Sequence, residues 1–308
     1  MQEFLERMSK LYYEGTPIIS DEEFDLLAQK HNYNKVGYTV TDAVSHTYRM
    51  YSLQKCFNIN EAPLDLIECI RTPKLDGAAV SLLYVNGELE LALTRGDGIQ
   101  GRDITNKMLY LAPNHIDHKG MVQITGEVVA PNTIANSRNF ASGSLGLNDL
   151  EEFKTRPLVF VAYDATPHLN TRYPCALEKL HQWNFNVVTR FKCDDYPTDG
   201  AVFRLKSNVK FDAMGYTSNH PRGAFALKTV KVGEFTQLKD VVWQLGKSGV
   251  VSPVAILDPV EIDGANISRA TLHNIEYIRE LDLEIGCYVE VIRSGDIIPR
   301  IVRRVEPF

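Results

Sequence analysis

The chain has 308 residues, 44% of them hydrophobic and 23% charged, which supplies apolar material for more than one core and sets an expectation of two or three domains. No run of about 18 apolar residues occurs, and the first ten residues lack a basic start followed by an apolar stretch, so a helical membrane span and a secretory leader are both excluded and a soluble, cytoplasmic protein is expected. A formal net charge of −6 excludes a protein that coats nucleic acid nonspecifically, and the five cysteines, never spaced C-x-x-C, suggest neither a disulfide framework nor a zinc site.

In chain order, the first thirty residues read as two short helices, the second opened by the capping-box sequence Ser20-Asp-Glu-Glu23. Residues 31–45 are polar and irregular, a linker. A helix is expected over residues 64–70, running directly into Thr72-Pro-Lys-Leu-Asp-Gly77. Two β-forming runs, residues 78–85 and 88–94, flank Asn86-Gly87, the strongest short hairpin signal, so Lys74 stands just before an antiparallel hairpin. Thr94-Arg-Gly-Asp-Gly98 is a glycine-rich turn where backbone can approach a ligand. His115 and His118 have no third ligand type near them, and a loop or surface role is expected. Further strands are expected over residues 122–130, 158–162, 200–205 and 224–228, with a helix over 176–183. Beyond residue 230 the texture changes to short strands, residues 238–245, 250–262, 288–292 and 301–305, interrupted by a helical patch over 268–281. That pattern suits a small barrel of OB type or an unrelated small β domain; the coarse class is α+β with an antiparallel sheet.

A lysine followed by Asp-Gly carries little information alone. Here Lys74 is joined by Arg95 in the glycine-rich turn, Gly126-Glu127, Asp199-Gly200 and Lys228, an ordered set that resembles the covalent nucleotidyltransferases. Longer stretches resemble bacterial-type NAD-dependent DNA ligases: Lys74-Leu-Asp-Gly-Ala-Ala-Val-Ser81, Thr94-Arg-Gly-Asp-Gly98, Asn139 with Ala141-Ser-Gly-Ser-Leu145, Val254 with Asp258-Pro-Val260, Ser268-Arg-Ala-Thr-Leu-His-Asn274 and Ser294-Gly-Asp-Ile-Ile-Pro299. The resemblance implies a helical module binding nicotinamide mononucleotide (residues 1–45), an adenylation domain of nucleotidyltransferase, ATP-grasp-like ligase type with antiparallel sheets (46–229) and an OB-fold barrel (230–308). It also implies a role in DNA replication and repair.

The resemblance makes Lys74 the nucleophile that takes up AMP from NAD. It places Asp76 beside Lys74, Ser52 and Leu53 along the nucleotide, Arg95 and Glu127 near the ribose, and Lys228 at the α-phosphate. Asp21, Phe24 and Asp25, with Tyr12 or Tyr13, would contact the nicotinamide mononucleotide half; core packing is the competing reading of Phe24. Magnesium or manganese is implied, with ligands unknown, and no zinc. Nicked duplex DNA is the implied partner. Arg138, Lys247 and Arg293, with Arg300, Arg303 and Arg304, are the basic residues available to it, solvated surface charge being the competing reading.

A free lysine has a pKa near 10.4, so about a thousandth of it is the attacking amine at pH 7.5. The site has to lower that value, and Lys228, Arg204 and a magnesium ion are the expected cations. Three departures from the family pattern stand out. Thr72 replaces a glutamate that reads the adenine amino group. Arg204 replaces a lysine, with Lys206 as a substitute if the register differs. No zinc module, helix-hairpin-helix array or further interaction domain follows Phe308, which implies either a minimal enzyme or a second polypeptide supplying those functions to a split ligase. A catalytically silent DNA-binding relative is the remaining alternative.

Overall fold

The computed structural model describes residues 5–9, 24, 27, 28, 33, 43–134, 136–228, 233–245, 251–262, 265–272, 274–294 and 298–306. Met1–Ile18 with Leu27–Thr229 form one unit, and Ile19–Leu26 with Val230–Phe308 form another. The strands of the first that bear on the site are β1 (Gln54–Cys56), β2 (Cys69–Leu75), β3 (Ala78–Val85), β4 (Glu88–Thr94), β5 (Met121–Val129), β6 (Val159–Thr166), β7 (Asn186–Val187), β8 (Thr198–Leu205) and β9 (Ala224–Lys228). Its principal helices are α1 (Ser137–Leu145), α2 (Tyr173–Gln182) and α3 (Asn208–Met214).

These strands form two sheets, one of order β1-β9-β8-β2 and one of order β4-β3-β5-β6-β7. Apart from the parallel pairs β1–β9 and β6–β7, the ladders are antiparallel. The hairpin β3–β4 turns at Asn86 and Gly87, both at positive φ (49° and 92°), the conformation that an Asn-Gly turn supplies cheaply. Alternate residues of β3, β5 and β6 (Val80, Leu82, Ile124, Phe160) bury one face of the larger sheet against Leu177 and Leu180 of α2. The smaller sheet buries Phe203 and Phe225, stacked at 5.1 Å, together with Phe211 of α3.

The helix expected over residues 64–70 is a single 3-10 turn, Leu66–Glu68, capped by the Asp65 side chain, and the chain then enters β2. Ladder pairing with β8, from Cys69 opposite Leu205 onward, overrides the local helical pattern. In the second unit, β10 (Glu234–Leu245), β11 (Val251–Ile262), β12 (Ala265–Thr271), β13 (Tyr288–Ser294) and β14 (Ile298–Val305) close a barrel of order β10-β11-β12-β14-β13. Leu238, Ala255, Leu257, Val289, Val291 and Ile301 fill it. The helical patch expected over residues 268–281 divides: its first part is β12, paired with β11, and only α4 (Ile275–Glu280), capped by the Asn274 side chain, is helical. Asn274 is where the helix starts because its side chain accepts from the Tyr277 amide.

Between β2 and β3 the chain crosses from the smaller sheet to the larger at Asp76 and Gly77. A Cβ on Gly77 would lie 2.2 Å from the Val128 carbonyl oxygen, so only glycine lets the strands approach this closely. Gly77→Ala is expected to cost about 2–4 kcal/mol in denaturant unfolding, as overpacked positions do. In Gly143→Ala, at a helical position where a new Cβ meets nothing within 4 Å, stability is unchanged or rises by about 0.5–1 kcal/mol.

Candidate active site

The site begins with a one-residue bulge. Thr198 pairs with Leu75 and Ala201 with Pro73, so β8 carries one residue more than β2 over this stretch. Gly200 takes φ 145°, and a Cβ there would sit 2.1 Å from the Leu227 carbonyl oxygen. The bulge turns Asp199 toward β2, where the Lys74 Nζ donates to its Oδ1 at 2.7 Å and its Oδ2 at 2.9 Å. Gly200 pairs with Lys228 on β9, which brings the Lys228 Nζ to 3.4 Å from Asp199 Oδ2. On the other side, Arg138, in the first turn of α1, places Nη1 2.7 Å from Asp76 Oδ1. Glu127, on β5 opposite Ala79, accepts from the Gly77 amide at 3.2 Å. Lys74, Asp76, Glu127, Arg138, Asp199 and Lys228 therefore form one cluster, drawn from both sheets and α1.

Its electrostatics differ from expectation in one respect. Burial alone would lower the Lys74 pKa, but Asp199 and Asp76 outweigh it, and the ammonium is held above its ordinary value. Lys228 does work in the expected, lowering direction and is the lesser influence. Burial would raise Asp199, and Lys74 with Lys228 instead hold it below the usual carboxylate range. Burial and the neighbouring Asp199 push Asp76 up to about 7, against Lys74. Burial also pushes Glu127 up to about 7, against Lys74 and Arg95. The Arg138 guanidinium is lowered by burial to about 10.

Arg204 is not in the cluster. It is 4% exposed, lies between the rings of Tyr173 and Phe211 at 3.9 and 4.1 Å, donates to Asn208 Oδ1 at 2.7 Å and pairs with Asp164 at 3.3 Å. Five residues of β8 beyond Asp199 carry it away from Lys74, so it does not tune that lysine; Lys206, which donates to the Ile67 carbonyl, does not replace it. Arg95 sits in the glycine-rich turn, its amide donating to Ala79, and acts electrostatically on Glu127 and on buried Tyr163. The Ser52 amide donates to Asn219, while Leu53 packs against the core of the smaller sheet. His115 pairs with exposed Glu88 and His118 meets the edge of Trp183. Arg300 is buried in the barrel, Arg303 pairs with Glu290, and Arg304 pairs with Asp282, so these three are not loose surface cations. Arg138, counted with the DNA-facing residues from sequence, is engaged with Asp76. Arg293 lies on β13 opposite Pro299, and Phe24 is helical and half-buried. Tyr12, Tyr13, Asp21, Asp25 and Lys247 lie outside the described residues.

Asp199 was visible in the sequence only as part of an Asp-Gly pair; its grip on Lys74 needs the bulge. Tyr163, in the field of Glu127, and Asp164, paired with Arg204, carry no local signal at all. The raised pKa values of Asp76 and Glu127 fix a stability trend. Both carboxyls keep a proton in the folded state that the unfolded chain releases above about pH 4, so their contribution is complete below that pH and is lost as pH rises through about 7. The melting temperature of the ligand-free protein is expected to fall by on the order of 5 °C between pH 5 and 8, and Glu127→Gln, which removes one titration, to reduce that fall by about half.

Residues 39–195 match the family model described as the NAD-dependent DNA ligase adenylation domain, and residues 235–307 match the NAD-dependent DNA ligase OB-fold domain. The DNA ligase of Campylobacter concisus is 31% identical over 97% of this chain and 56% of its own length. That of Nautilia profundicola is 33% identical over 97% and 56%, and that of Alcanivorax borkumensis 32% over 96% and 48%. The chain spans about half the length of the curated relatives it matches. With the adenylation model covering half of its residues and the OB-fold model most of its barrel, the chain belongs to the NAD-dependent DNA ligase family.

Proposed function

We propose that this chain takes AMP from NAD onto Lys74, releases nicotinamide mononucleotide and passes the AMP to the 5′-phosphate of nicked duplex DNA, where the 3′-hydroxyl then displaces it. The observation that carries the reading is the grip of Asp199 on the Lys74 ammonium, 2.7 and 2.9 Å, with Lys228 alongside. In the first step the Lys74 Nζ forms a bond to the α-phosphorus as the pyrophosphate P–O bond breaks. The departing oxygen takes the electron pair, and the nitrogen gives up two of its three protons, keeping one in the phosphoramidate. Asp199, already hydrogen bonded to the ammonium, is the group placed to accept the first of them. Lys228 and Arg138 supply positive charge for the nonbridging oxygens.

We assign residues 1–45 to holding the departing half, 46–229 to adenylation and 230–308 to the barrel's contact with DNA. Glu127 and Arg95 belong at the ribose side and Ser52 at the nucleotide. Among the described residues no three His, Cys, Asp or Glu side chains form a ready metal site. The donor chemistry fits magnesium or manganese held through Asp76 or Asp199 and phosphate oxygens, since a hard dication takes few carboxylates and shares the substrate's oxygens; when bound it supplies charge neutralisation. Without a cation Asp76 and Glu127, pushed up to about 7, are fully ionised only in mildly alkaline solution, and a dication beside them would lower both.

Intact-mass measurement after incubation with NAD is expected to show one added adenylyl group, absent with ATP and absent in Lys74→Ala; an adduct that survives Lys74→Ala would remove the reading. Adduct formation in single turnover is expected to accelerate from pH 6 to 8. Asp199 raises the lysine pKa, so Asp199→Asn lets the ammonium lose its proton at lower pH: the pH midpoint moves down. The plateau rate drops by roughly 10²-fold because the proton acceptor is gone.

A further inference from the structure

The cleft between the two sheets has a second polar bridge, at the end away from Lys74. Register defines its walls. On the smaller sheet Thr72 and Lys74 alternate onto one face of β2, and Val202, opposite Thr72, shares that face with Arg204 two residues on. On the larger sheet Thr125 and Glu127 share a face of β5, and Asp164 is paired with Thr125. A register shift in β6 at this point leaves Tyr163 as the extra residue beside it. Glu127 thus marks the Lys74 end of the cleft and Asp164 the other. Counting strand rise from Lys74 past Thr72 to the level of Arg204 gives about 13 Å, close to the reach of a nucleoside monophosphate from phosphorus to base edge.

At that far end Arg204 is nine-tenths or more buried, and its Nε and Nη2 have no hydrogen-bond partner, although Asp164 Oδ2 is 3.3 Å from Nη2. Asp164 Oδ1 accepts from the Ala165 amide, and its side chain remains 26% exposed. A buried guanidinium clamped between two rings with unsatisfied nitrogens costs free energy unless it serves something. Here it anchors a carboxylate in the cleft. Thr72, 6% exposed, offers a hydroxyl and no negative charge on the same stretch.

Resting on the proposed use of an adenine dinucleotide, we infer that Asp164 reads the purine amino group, accepting its N–H in the place of the acid that Thr72 has displaced, and that Arg204 is the positioning residue that holds it there. A charged acceptor facing that amine gives a selectivity that a hydroxyl does not.

Equilibrium calorimetry with AMP and with purine riboside 5′-monophosphate, the same nucleotide without its amino group, tests this apart from any covalent chemistry. Loss of the Lys74 adduct would count against the proposed function and leave this measurement standing. The full chain is expected to bind AMP roughly tenfold or more tightly than the amino-free nucleotide. Asp164→Ala is expected to bring the two within about twofold, and Arg204→Met to narrow the gap while the amino-free nucleotide binds nearly as before. Equal affinities in the unaltered protein overturn the inference with no variant needed. A preference that persists in Asp164→Ala, or equal losses for both nucleotides in Arg204→Met, overturns it as well.

Discussion

The ion pair between Lys74 and Asp199 governs the rest of the site. It is a product of backbone geometry: one extra residue in β8 and a glycine at φ 145° aim the carboxylate at the neighbouring strand, and the pairing of Gly200 with Lys228 adds a second cation to the same oxygen pair. The contact therefore depends on three strands holding register together. It keeps the lysine charged; on the proposed function it thereby restrains the nucleophile and sets the proton acceptor in place before substrate arrives.

Around that pair the charges are closely matched and poorly solvated. Lys74, Lys228 and Arg138 face Asp76, Asp199 and Glu127, yet two of the three acids are pushed to about 7. The reason is crowding: Asp199 takes most of the available positive charge, and Asp76 and Glu127 meet both burial and its field. On the proposed function an incoming phosphate would add negative charge to this enclosure, and a cation arriving with the nucleotide would relieve a repulsion already present. The Asp76–Gly77 crossing carries the chain from the sheet of Lys74 and Asp199 to the sheet of Glu127, which makes the spacing of that lysine and that glutamate a property of sheet packing.

Much of this was legible in the residues. Asn86-Gly87 announced the hairpin, the β-forming runs 78–85 and 88–94 announced its strands, and the short strands beyond residue 230 pointed to a barrel of OB type or another small β domain, of which the structure shows the closed barrel. What stayed hidden depends on long-range pairing. Residues 64–70 and 268–274 look helical locally and are strand where a partner ladder claims them. The basic side chains misled for a related reason. Arg204 and Arg138 read as free cations until packing shows each committed to a carboxylate, and the sign of the Lys74 shift reverses because Asp199, far along the chain, is its nearest neighbour.

β2 is an outer strand of its sheet, and its residue before the lysine is Pro73. An outer strand invites addition of a strand from another molecule, which here would lie against the stretch that carries Lys74. A residue without an N–H beside Lys74 disfavours the addition of a further strand at that point.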